Sequence, residues 1–91
     1  MESYVISNMR VVFSPRKEPL VYLATLISEK GGTEEVQFLS SQFGVWVYFL
    51  KDQSISLAEG EIAQKELQEY HDGDHLQCNL SFEQNYKNET L

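Results

Sequence analysis

A chain of 91 residues with a formal net charge of −7 at pH 7 can build one small core but has little material left for a roomy substrate cavity. With 42% hydrophobic residues and eleven aromatic side chains it carries more apolar surface than a disordered chain does. An isoelectric point near 4.6 argues against direct nucleic-acid binding, which needs a basic stripe; here the only basic group of that kind is Arg10, Arg16 and Lys17.

Tyr4 to Phe13 is rich in β-branched and aromatic residues without helical spacing and reads as a strand. Pro15 and Pro19 then bracket a charged turn, Arg16-Lys17-Glu18. Leu20 to Glu29 fits a second strand through Val21, Thr25 and Ile27, and Gly31-Gly32 supplies a hairpin turn into a third, Thr33 to Ser40. Phe43 to Leu50 is the most hydrophobic stretch, with Val45, Val47 and Phe49 on one face and Trp46, Tyr48 and Leu50 on the other. That pattern suits a central strand covered on both sides, with the Trp46 and Tyr48 face as a second candidate contact surface.

Ser56-Leu57-Ala58-Glu59 matches the capping box that opens a helix, so a helix is expected from Ser56 to about Tyr70, with Gly73 just beyond its end. Helical spacing puts Ala63, Leu67 and Tyr70 on the core stripe and leaves Ile62 among Glu59, Glu66 and Glu69 on the far side. His75 to Phe82 follows as a last strand, with Leu76, Cys78, Leu80 and Phe82 in period-2 spacing. The expected fold is therefore α+β: a small, mainly antiparallel sheet of about five strands with one helix, in the order β-β-β-β-α-β. Residues 1–82 form its single domain, and the polar residues 83–91 form a frayed tail.

The charge is unevenly placed. Residues 1–51 hold five basic and five acidic side chains; residues 52–91 hold two basic against nine acidic. A local excess of carboxylates favours encounter with positive surfaces. Glu59, Glu61, Glu66 and Glu69, continued by Asp72 and Asp74, form the candidate partner-binding patch, with Ile62 as an apolar anchor inside it.

Rival chemistries have weaker signals. His71-Asp72-Gly73-Asp74-His75 contains potential ligands for a divalent metal, yet Asp and Gly are also what a tight turn selects. Cys78 falls on the apolar phase of the last strand and reads as a buried thiol; as the single cysteine it fits a reducing compartment. No nucleophile elbow and no phosphate-binding glycine loop is present. No run approaches the roughly 20 apolar residues of a bilayer-spanning helix, and the start from Met1 lacks the basic and apolar segments of a signal peptide. The two glycosylation sequons, at Asn79 and Asn88, are of a kind common by chance.

These observations point to a cytoplasmic, non-enzymatic regulator or inhibitor without cofactor or metal. Its partner is a protein with a basic surface, one that handles nucleic acid being a good fit, in an inhibitor, anti-defence or immunity-type role. The alternative is an assembly subunit joined through the Trp46/Tyr48 face or an edge strand. Edge pairing makes a homodimer a further option.

Overall fold

The computed structural model describes residues 2–85, and the side chains of residues 2–79. Six strands follow one another in the chain: β1 (Glu2–Phe13), β2 (Pro19–Ser28), β3 (Thr33–Ser41), β4 (Gly44–Phe49), β5 (Ser54–Glu59) and β6 (His75–Asn85). Each pairs antiparallel with its neighbours, and β6 returns to β1 through Tyr4↔Leu76 and Val5↔His75, which closes the sheet into a barrel.

The first four strands lie close to their sequence-based bounds. Ser14 to Glu18 closes the β1–β2 hairpin, with the Ser14 amide on the Glu18 carbonyl at 2.9 Å and the Ser14 hydroxyl accepting from Arg16 and Glu18 amides. Gly31 takes a φ of 89° in the β2–β3 turn, a conformation that side chains resist. Ile6, Ala24, Leu26, Val36, Phe38, Val45, Val47, Leu76 and Cys78 alternate inward and fill the barrel with a single core. A barrel of this size is packed by its own side chains.

The α+β expectation is corrected: the fold is all sheet, and no helix runs from Ser56 to Tyr70. Ser56-Leu57-Ala58-Glu59 is part of β5, and the rest of the expected helix is a connection holding two single 3₁₀ turns, Glu61–Gln64 and Leu67–Glu69. The physical reason lies in the small residues. Ser54, Ser56 and Ala58 point inward and are buried, leaving room for the bulk of the other walls, while Ile55, which is also buried, and Leu57 take the opposite side against Tyr48 and Trp46. A serine spaced three residues from a glutamate serves a strand as well as a cap, and a tertiary partner decides between them. A capping box does form nearby, where the Glu66 amide donates to Glu69 Oε1 at 3.0 Å and Glu66 accepts in return.

Two further expectations change. The outer face of β4 is not covered by a helix among the described residues; Trp46 and Tyr48 stand there half-buried. β6 continues to Asn85, beyond the expected end at Phe82, so only residues 86–91 of the expected frayed tail remain, and they lie outside the described residues.

β1 is long because it serves two partners. A bulge between Ser7 and Arg10, with Asn8 at a φ of 52°, bends it. Residues before the bend pair with β2 and β6; residues after it pair with β2 in a projecting hairpin.

Candidate functional site

The candidate site is built by the connection from Gly60 to Asp74. Gly60 leaves β5 with φ 92° and ψ −166°, a backbone region open essentially to glycine, and this turns the chain across the barrel end. The segment then folds by sidedness. Ile62, Leu67 and Tyr70 turn inward and are 3%, 8% and 3% exposed, closing the core like a stopper. Tyr70 packs edge-on against Phe38 at 5.2 Å between ring centres, a contact worth about 0.5–1.5 kcal/mol beyond its area.

The polar side chains are left outside. Glu61, Glu66, Glu69 and Asp72 are exposed, and Glu59 and Asp74 are half-buried. Among the described residues the one ion pair is Arg10 with Glu35 at 2.9 Å, on the outer wall far along the chain. There the Thr25 hydroxyl and then the Arg10 guanidinium hold the Glu35 carboxyl below its ordinary range. The carboxylates from Glu59 to Asp74 therefore form no ion pair among the described residues, although Lys65 lies in the same segment.

Several of these acids also hold the backbone in place. Asp72 Oδ1 accepts from the Met9 amide at 2.7 Å, and Asp74 Oδ2 accepts from the His71 amide at 2.9 Å. Gly73 donates to the Ile6 carbonyl and Ile6 donates to the Asp74 carbonyl, at 2.8 and 2.9 Å. The 72–74 stretch thus extends the sheet beside β1. Glu59 Oε1 accepts from Asn79 Nδ2 at 2.9 Å.

Where β1, β6 and β5 lie side by side, this segment borders an open groove of about 490 Å³. The register Ser3↔Gln77↔Glu59 sets its floor, and Glu29, Glu61, Lys65, Asp74 and His75 stand around it. Four carboxylates face one lysine and one histidine there, so its field is negative.

Of the sequence-derived candidates, Glu59, Glu61 and Asp74 come together at the groove. Glu66, Glu69 and Asp72 sit elsewhere on the outer face of the same segment. Ile62 is no exposed anchor: it belongs to the core, because the chain crosses the barrel end and does not wind into a helix. Trp46 and Tyr48 belong to a separate surface on β4, where Leu39↔Trp46↔Leu57 and Gln37↔Tyr48↔Ile55 form two cross-strand rows; Trp46 Nε1 donates to Ser41 Oγ at 2.9 Å. Ser3, Glu29 and Gln77 carry no sequence signal as site residues, since only barrel closure brings them together.

The other chemistries gain no geometry. Among the described residues no three His, Cys, Asp or Glu side chains converge as a metal site, and Asp72 and Asp74 are engaged by backbone amides. Cys78 is fully buried in the core. No helix of the described residues is long and apolar enough to cross a membrane. In comparison with known proteins, no protein family, no curated protein and no solved structure matches this chain.

Proposed function

We propose that this protein is a small non-enzymatic regulator or inhibitor, acting in the cytoplasm, that docks the acidic outer face of its 59–74 segment on a basic protein surface. One observation carries the reading. The buried apolar side chains of the segment close the barrel, and six carboxylates, four exposed and two half-buried, surround a single lysine, Lys65, with none of them in an ion pair among the described residues. A surface of that kind steers a positive partner and confers selectivity through charge. A partner that handles nucleic acid fits best, because its cations are already spaced for anionic groups.

The test is a pull-down from the native host at low and high salt with wild type and an E61K/E66K/E69K variant. A partner recovered by wild type, weakened by salt and lost from the variant supports the reading. A partner held equally by both removes it.

A second reading has its own observation. Trp46 and Tyr48, half-buried on the outer wall, stand in two rows with the half-buried Leu39 and Leu57 and the buried Ile55, an apolar surface able to join a larger assembly. Loss of the recovered partner from a W46A/Y48A variant, with E61K/E66K/E69K retaining it, selects this alternative.

A further inference from the structure

Beyond its bend β1 has an outer edge whose hydrogen-bonding phase follows from two backbone contacts. β6 pairs with β1 only from Glu2 to Val5, and the 72–74 stretch then takes Ile6 and Met9. After Met9, among the described residues, β1 has a neighbour on the β2 side alone. Backbone groups alternate sides along a strand. The Met9 amide points away from β2, to Asp72, and the Ser14 amide points toward β2, to Glu18. A register shift lies between Val12 and Phe13, but its extra residue, Leu20, is on β2, so β1 keeps its alternation and both observations fix the same phase: Arg10 and Val12 bond toward β2, while Val11 and Phe13 present their N–H and C=O groups to the open edge. Val12 and Phe13 are 46% and 57% exposed.

An open edge of this kind is a template for another strand, and proteins ordinarily guard it with proline or charge. The opposite side of the hairpin is guarded by Pro19. From Val11 to Ser14, between Arg10 and Pro15, the β1 edge itself carries neither proline nor charge.

We propose that this edge is filled by the same edge of a second copy, as an antiparallel pair related by a two-fold axis at Val12. That register sets Val11 of one copy opposite Phe13 of the other. Both are outward-bonding positions, so each of the two pairs exchanges two hydrogen bonds. Val12 meets Val12 across the axis, apolar against apolar, and Arg10 lies opposite Ser14, so no like charges oppose each other. Pro15 of the second copy reaches Met9, whose amide is already engaged by Asp72 and needs no partner. Arg16 and Lys17 of the second copy then arrive at Asp72, at the end of the acidic segment. This charge match selects a second copy over an unrelated extended peptide. The contact is isologous and closes as a dimer.

The experiment combines sedimentation velocity with residue-resolved hydrogen exchange on the wild-type protein, from dilute to millimolar concentration. The expected result is a concentration-dependent dimer in which Val11 and Phe13 amides exchange about tenfold slower than in the dilute protein, while Val12, bonded to β2 throughout, is unchanged. V12K places two cations at the axis and is expected to weaken the dimer about tenfold, and R16E/K17E to weaken it with a lost salt dependence. A monomer at every concentration overturns the proposal. So does a dimer whose Val11 and Phe13 amides stay fast, or an extended peptide that protects them where the chain itself does not. None of these readouts involves the partner of the acidic face, so the two proposals fail independently.

Discussion

A buried tyrosine hydroxyl without a hydrogen-bond partner costs about 1–3 kcal/mol, and the Tyr70 hydroxyl has none among the described protein groups. Tyr70→Phe is therefore expected to raise the urea midpoint, and a fall in the midpoint would show that the hydroxyl is bonded. Burial, and then the charge of Asp74, push the phenol from an ordinary 10.0 up to about 12. The folded state keeps a proton that the unfolded chain releases, so stability falls as pH rises from 10.0 to about 12, and Tyr70→Phe removes that fall. Asp52 has the opposite sign. The Ser54 hydroxyl, at 2.7 Å, leads the effects that hold its carboxyl below the ordinary carboxylate range, so it contributes stability that is present above that range and lost as pH drops through its depressed value. Asp52→Asn is expected to flatten the acid limb of the stability curve measured in urea. At Gly60 the backbone is the constraint: Gly60→Ala meets no hard contact, its added carbon lying 3.8 Å from Gln77 Oε1, but the φ of 92° makes it costly by about 1–3 kcal/mol.

At the scale of the element, β5 and the segment after it separate what a sequence shows from what it hides. β-Branched and aromatic content marks β1 and β2, a run apolar on both faces marks β4, and period-2 alternation marks β3 and the last strand. β5 escapes that reading, since its inward residues are Ser54, Ser56 and Ala58, chosen for small volume by walls that lie far away in sequence. Ser56→Leu tests this directly. In the barrel it overpacks a site 1% exposed and is expected to cost about 1–3 kcal/mol, whereas at an exposed helix cap it would cost little more than the lost cap. Ile62 makes the complementary case. Its acidic neighbours were legible and its burial was not, because the direction of its side chain depends on the turn at Gly60. Ile62→Ala is expected to destabilise the fold by about 2–5 kcal/mol in chemical denaturation, as a core residue does and a surface anchor does not.

For the whole molecule, charge was the readable property and closure was the hidden one. The surplus of carboxylates after residue 51 follows from a count, and in the fold those from Glu59 to Asp74 occupy one continuous segment at the barrel end. The pairing of β1 with β6 joins residues 70 to 76 positions apart, which no local pattern encodes, and it brings Ser3 and Glu29 to the groove. The central claim is that this outward acidic face is what a basic partner meets. Its most direct test is chemical-shift mapping of the isotopically labelled protein against the partner recovered from the host, with salt varied in the same titration. The account predicts shifts confined to residues 59–77 and the adjoining Ser3 and Glu29, fading as salt rises. Shifts centred on Leu39, Trp46 and Tyr48, indifferent to salt, would contradict it.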